Sequence, residues 1–165
     1  MTGGGRHDKH EHGRQQRPAT SDAVIELHRA ANAVRNHVEQ AVLRHQQLTW
    51  TGFLVLCEVW AARRLETRHA ATAAGIAKAT LTGVVDTLVR RDLVRRVRHP
   101  DDGRLVLLEL TREGQRLARE LVPASRAEEA FALGDLDEGQ VGDVTAAMRR
   151  IALRLDEGDA RDRRK

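Results

Sequence analysis

The chain has 165 residues and a net charge of +4, from 28 Lys and Arg against 24 Asp and Glu. Hydrophobic residues make up 41% and aromatics only 2% (Trp50, Phe53, Trp60 and Phe131), so one aliphatic, alanine-rich core suits the chain and a β-sandwich does not. The single cysteine, Cys57, excludes an intrachain disulfide framework, and no apolar run has the length of a membrane span or follows the N-terminus as a secretory signal; a soluble cytoplasmic protein is expected.

Residues 1–20 are Gly, His, Gln, Arg and Pro with little to bury, and read as a disordered tail. Its His7, His10 and His12 are loosely spaced and fit adventitious metal binding better than a built site. From Ser21, an N-cap candidate, Val24, Leu27, Ala31, Val34, Val38 and Ala41 recur at alternating gaps of three and four, which is one stripe on a long helix. A second helix is expected over Thr51–Arg64, burying Phe53, Leu56, Val59 and Trp60. A short helix His69–Ala74, closed by Gly75, and a further helix Lys78–Arg91 with Leu81, Val84, Val85 and Leu88 on one side make a helix-turn-helix. Ala77 stands where a Ser or Asp cap is usual. The period then switches: Leu93–Arg98 and Leu105–Leu110 are strand-like and flank the turn-rich His99-Pro100-Asp101-Asp102-Gly103-Arg104, a β-hairpin.

Thr111 caps a helix carrying Leu117, Leu121 and Val122, which Pro123 is expected to kink or interrupt. The last helix starts at Asp137 with Gln140 completing a capping box, and its stripe is Val141, Val144, Met148, Ile151 and Leu155. A polar tail, 159–165, follows. The first and last helices hold more apolar surface than a compact helix-turn-helix can cover, which predicts a homodimer built from them.

Charge is concentrated. Between Arg63 and Arg104 lie ten cations (Arg63, Arg64, Arg68, Lys78, Arg90, Arg91, Arg95, Arg96, Arg98, Arg104) against five acids (Glu66, Asp86, Asp92, Asp101, Asp102), so this segment alone carries +5. A positive field on a helix-turn-helix and its hairpin is what phosphate binding requires. The run Gly75-Ile76-Ala77-Lys78-Ala79-Thr80-Leu81-Thr82, then Val85-Asp86-Thr87-Leu88, Asp92-Leu93-Val94-Arg95-Arg96, Asp101-Asp102-Gly103-Arg104 and Leu110-Thr111-Arg112-Glu113-Gly114, in that order, resembles the MarR family of winged helix-turn-helix regulators from about Ser21 to Leu155.

The resemblance implies a mainly α fold with a small β-hairpin wing and N- and C-terminal dimerisation helices. The domain spans 21–158, with 21–48 and 112–158 joining two copies and 49–111 forming the DNA-binding lobe. It implies a homodimeric, ligand-responsive repressor on double-stranded DNA, with a recognition helix in the major groove and a wing at the minor groove of a pseudo-palindromic site. Lys78, Ala79, Thr80, Thr82, Gly83 and Thr87 match the recognition helix, Arg68 and Arg96 match flanking basic positions, and Arg98 and Arg104 match the wing, whose arginine Asp102 braces. Three positions depart from the pattern: Gly103 removes a common wing arginine, Gly83 replaces a larger polar residue, and Asp92 replaces a helix-ending glycine whose left-handed conformation Asp tolerates.

A small aromatic or anionic effector fits the same resemblance, with His28, Arg35, Trp50 and Trp60 as candidate contacts and Arg98 at the wing base. Cys57, in an apolar context without tyrosines, reads as an inert thiol rather than a redox sensor. No cofactor, metal site or membrane partner is expected, and no nucleophile–base pair or phosphate loop supports an enzyme. The competing reading is a winged-helix domain that docks proteins and has no operator of its own.

Overall fold

The computed structural model describes residues 19–162, with side chains described for 20–155. The chain divides into two compact units, 1–33 and 34–165. The described part of the first is helical. It opens α1, Ala19–Val38, two residues before the expected cap at Ser21, which lies inside the helix and caps nothing. The rest of the expected N-terminal tail, 1–18, lies outside the described residues.

In the second unit α1 gives way to a π-helical turn, Glu39–Leu43, and a 3₁₀ turn, Arg44–Gln46. The wider turn rotates the helix face, so Val42 and Leu43 are buried where the regular stripe predicted Ala41, which is exposed. Then come α2 (Trp50–Ala62), β1 (Arg64–Glu66), α3 (Thr67–Ala73), α4 (Lys78–Arg90), β2 (Val94–Arg98), β3 (Val106–Leu110), α5 (Arg112–Ala132) and α6 (Glu138–Asp162). The three strands form one antiparallel sheet in the order β1-β3-β2, with Leu65 and Arg96 both opposite Leu108. Strand β1 was not expected: the second helix stops at Ala62, and Arg64–Glu66 becomes a third strand beside the hairpin.

One aliphatic core binds these elements: Phe53, Val55, Leu56 and Val59 of α2, Ala70 and Ala71 of α3, Leu81, Val85 and Leu88 of α4, Val94 and Leu108 of the sheet, and Leu117, Ala118 and Leu121 of α5. Local chemistry sets the boundaries. Thr49 caps α2 by accepting the Gly52 N–H at 3.1 Å, and Thr111 caps α5 by accepting that of Gly114 at 3.0 Å. Asp92, after α4, is left-handed with φ of 53°. Asp137 and Gln140 form the expected reciprocal box at the start of α6, at 2.9 Å each way.

Pro123 does not interrupt its helix. α5 runs unbroken through it; proline removes the donor for the Arg119 carbonyl, and the Ser125 hydroxyl donates to Val122 O at 3.1 Å one turn on. Helix α6 continues to Asp162, so the expected polar tail from 159 begins inside it, and 163–165 lie outside the described residues. Along α6, Val144, Met148, Ile151 and Leu155 are exposed, as are Phe131, Leu133 and Leu136 just before it. Among the described residues no helix is long and apolar enough to cross a membrane.

Candidate nucleic-acid interface

Helix α4 is anchored from one side. Leu81, Val85 and Leu88 are buried, one turn apart, and this turns Lys78, Ala79, Thr80, Thr82 and Gly83 to solvent. The turn before it closes through Gly75 at φ of 63°, whose N–H reaches Thr72 O at 3.1 Å. Ala77 is the N-cap and supplies no side-chain acceptor; its carbonyl takes the Thr80 N–H at 2.9 Å, and the amides of Lys78 and Ala79 are left without a cap. A helix start bare of its own cap, beside a lysine and two threonine hydroxyls, is suited to phosphate oxygens and base edges. Thr87, further along, is occupied internally: its hydroxyl donates to Gly83 O and accepts from Arg90 Nη2, both at 2.9 Å.

Arg98, expected at the wing base, instead ends β2 opposite Val106 where the loop begins, outside the groove that Trp60 lines, so the hairpin tip projects it together with Arg104, both exposed. Asp102 Oδ1 accepts the backbone N–H of Arg104 at 3.0 Å, so it fixes the turn that carries the arginine rather than its guanidinium. His99, which carried no role in the sequence reading, organises the same turn: its Nδ1 accepts the N–H groups of Asp101 and Asp102 at 3.2 and 3.3 Å.

The ten cations of the segment separate into two sets. Arg64 and Arg95 bind Glu109 from both sides, at 2.5 and 2.8 Å, in one cross-strand row. Arg68 pairs with Glu66 at 2.5 Å and Arg96 with Asp86 of α4 at 2.7 Å. Arg90 bonds Thr87, and Arg91 donates to the Gln46 and Gln47 carbonyls. Lys78, Arg63, Arg98 and Arg104 have no acidic side-chain partner among the described residues. Glu109 is buried, and its hydrogen bond from Arg95, with the charge of Arg64 beside it, holds its carboxyl below the ordinary value against the opposing effect of burial.

Beside that row lies a groove of ≈ 810 Å³, lined in part by Trp60, Arg63, Arg64, Arg95, Glu109 and Arg119. Of the candidate effector contacts, Trp60 lines it. Trp50 packs on Phe53 with ring centroids 6.0 Å apart, and Arg35 is exposed on α1; neither is in the lining. His28 belongs to the first unit, where it bonds Asn32 at 2.8 Å. Arg63, Arg64 and Arg95 were counted among the basic residues, but their convergence here was not expected, because it depends on strand register and on a strand too short to predict. Cys57 is half-buried, and burial pushes its thiol up to about 12.

A three-helix lobe closed by a three-stranded sheet, with an uncapped helix start and a basic hairpin tip on show, defines a winged helix-turn-helix DNA-binding protein. The MarR family profile matches residues 48–106. Over 129 residues, 78% of this chain and 75% of the relative, the protein is 31% identical to the HTH-type transcriptional regulator YwaE of Bacillus subtilis. It is also 31% identical over 94 residues, 57% of this chain and 60% of the other, to the HTH-type transcriptional repressor NicR of Pseudomonas putida. The fold superposes with a TM-score of 0.70 and 26% identity on BpsR of Bordetella bronchiseptica, whose DNA binding is regulated by 6-hydroxynicotinic acid, covering 79% of this chain and 98% of that one. The chain belongs to the MarR family, and is therefore a DNA-binding transcriptional regulator and not an enzyme.

Proposed function

We propose that the protein is a homodimeric repressor, acting in the cytoplasm, that binds a pseudo-palindromic operator and is released by a small anionic effector. The observation that carries DNA reading is the outward face of Lys78, Ala79, Thr80, Thr82 and Gly83 on a helix start that lacks its own cap. Arg98 and Arg104, held by the Asp102 turn, reach the adjacent minor groove in this reading. Arg68 and Arg96 contribute through charge, since their guanidinium groups are already shared with Glu66 and Asp86.

The open α6 stripe supports dimerisation: Val144, Met148, Ile151 and Leu155 recur on one face with no cover of their own, and a second copy supplies it. The groove supports an effector. Four arginines and the Trp60 indole line the groove beside one carboxylate, Glu109, which Arg64 and Arg95 already neutralise, a setting for an aromatic or aliphatic carboxylate. Repression agrees with the name of the NicR relative, and control of DNA binding by a small acid agrees with what is described for BpsR.

The test is a gel shift of the gene's own upstream duplex across a salt series. A specific complex whose affinity falls steeply with salt is the expected result. Binding without sequence preference would favour the protein-docking alternative and sink the operator reading.

A further inference from the structure

We propose that Arg91 is a positioning residue for DNA reading: its guanidinium fork locks the far end of the recognition helix to the elbow before α2 and so sets the pose of the exposed first turns. The inference rests on the DNA-reading role proposed above. Arg91 follows the last residue of α4, and its Nη1 and Nη2 donate to the carbonyls of Gln47 and Gln46 at 2.7 and 2.6 Å. A planar guanidinium that takes two successive carbonyls fixes direction as well as distance, which a lysine does not reproduce.

The acceptor side is itself built for this. Gln47 is left-handed at φ of 50°, and its N–H closes the 3₁₀ turn on Arg44 O at 3.1 Å. That turn leaves its last carbonyls without helical donors, and Arg91 supplies them. The elbow is tied down from two other directions: Gln46 Nε2 donates to Glu120 of α5 at 3.1 Å, and Glu39 Oε1 accepts the N–H of Trp50, the first residue of α2, at 3.0 Å. One guanidinium thus joins α4 to a node shared by α2 and α5.

The rest of the α4 anchorage is apolar. Leu81, Val85 and Leu88 fix which face is buried, but dispersion contacts resist sliding and rolling only weakly compared with oriented hydrogen bonds. The Arg96–Asp86 pair holds the middle of α4 to the wing, and Arg91 holds its end. At 1.5 Å per residue the helix places Arg91 roughly 20 Å from Lys78, too far to share the phosphates that the first turns meet. Its guanidinium is therefore occupied within the fold, in line with the sequence reading that Arg90 and Arg91, though counted among the ten cations, serve a helix C-terminus.

The experiment selects a duplex from a random-sequence library with the wild-type full-length protein. It then measures binding of wild type, Arg91→Ala, Arg91→Lys and Lys78→Ala to that duplex and to an unrelated duplex of equal length, across salt. Failure of wild type to select any sequence would sink the DNA-reading role itself. If it selects, Arg91→Ala is expected to lose about tenfold in the ratio of selected to unrelated binding, with binding to the unrelated duplex and the salt slope unchanged. Lys78→Ala, by contrast, lowers the slope. Arg91→Lys, which keeps the charge but not the fork, falls between and keeps the test open where the alanine variant does not fold. Equal losses on both duplexes, which a merely structural role gives by lowering the folded fraction, or a reduced salt slope in Arg91→Ala, would overturn the proposal.

Discussion

Replacing Gly114 by alanine separates two effects of opposite sign. Gly114 sits in the first turn of α5, where helix propensity alone makes alanine more stable by about 1 kcal/mol. A Cβ there would stand 1.9 Å from the Leu93 carbonyl oxygen and 2.9 Å from its carbon, when real Cβ contacts stay beyond 3.0 Å. The neighbour is backbone and is fixed twice: Leu93 O accepts the Thr111 N–H at 3.2 Å, and Leu93 N–H donates to Leu88 O at 2.9 Å. More than an ångström must open at the junction of α4, β2 and α5. Overpacking of that kind costs about 1–3 kcal/mol, and the bonds it strains add about 1 kcal/mol more. The balance is a loss of about 1–3 kcal/mol, seen as a melting temperature lower by roughly 3–10 °C in circular dichroism. Gly83→Ala is the control: it lies in the exposed interior of α4 with nothing within 4 Å of its Cβ, and gains about 0.5–1 kcal/mol. A Gly114→Ala protein as stable as wild type would show that propensity, not the close approach, governs that glycine.

Four further outcomes follow from the same geometry. Val144→Glu places a charge in the open stripe of α6 and is expected to yield monomer in sedimentation, because an unpaired buried carboxylate costs several kcal/mol, on the order of the interface itself; a dimer of wild-type affinity would refute that interface. Glu109 has its pKa lowered in the folded state, so its pairing with Arg95 and Arg64 stabilises the fold at neutral pH and is lost as pH falls through the lowered value. Denaturation of Glu109→Gln should therefore show a deficit that is constant down to about pH 5 and shrinks below it, and a deficit independent of pH would contradict the linkage. Cys57, pushed up to about 12, should be alkylated roughly a hundredfold or more slowly than a free thiol at mildly alkaline pH, and rapid labelling would reopen redox sensing. Arg104→Ala should weaken operator binding by roughly 1–3 kcal/mol and flatten the salt slope by about 0.9 for each phosphate left unneutralised, while Arg95→Ala leaves the slope intact; a reversed pattern would place the wing outside the groove.

The helix-turn-helix and the hairpin were legible because each rests on local signals. Period 3.6 gives way to period 2 after Asp92, and Gly75, Asp92, Thr111 and the Asp137–Gln140 box punctuate the chain where the backbone turns. What escaped was made by distant partners or by backbone irregularity. Strand β1 has three residues, two of them charged, and exists because β3 offers it a ladder; no pattern in Arg64-Leu65-Glu66 announces it. The π turn at Glu39–Leu43 shifts the buried face by one residue, which an ideal helical wheel cannot anticipate. Pro123, expected to kink or interrupt its helix, does not interrupt it: the residue lies on the exposed face of α5, whose other face is packed in the core, and a helix so anchored tolerates one missing bond.

The candidate site was legible in its charge but not in how that charge is divided. Counting gives ten cations and five acids, and pairing cannot alter that sum, so the far field of the lobe is the one the sequence reports. Contact with phosphate depends instead on which guanidinium groups are free to reach. Register decides this for Arg64 and Arg95, which meet Glu109 from opposite strands, and tertiary packing decides it for Arg96, which meets Asp86 across ten residues of chain. The positive field that attracts DNA is thus spread over the whole lobe, while the groups unpaired among the described residues include Lys78 at the start of α4 and Arg98 and Arg104 at the wing. Attraction and grip are carried by different residues, and a substitution that lowers net charge equally at Arg95 and at Arg104 is expected to slow association in both cases but to shorten the life of the complex only in the second.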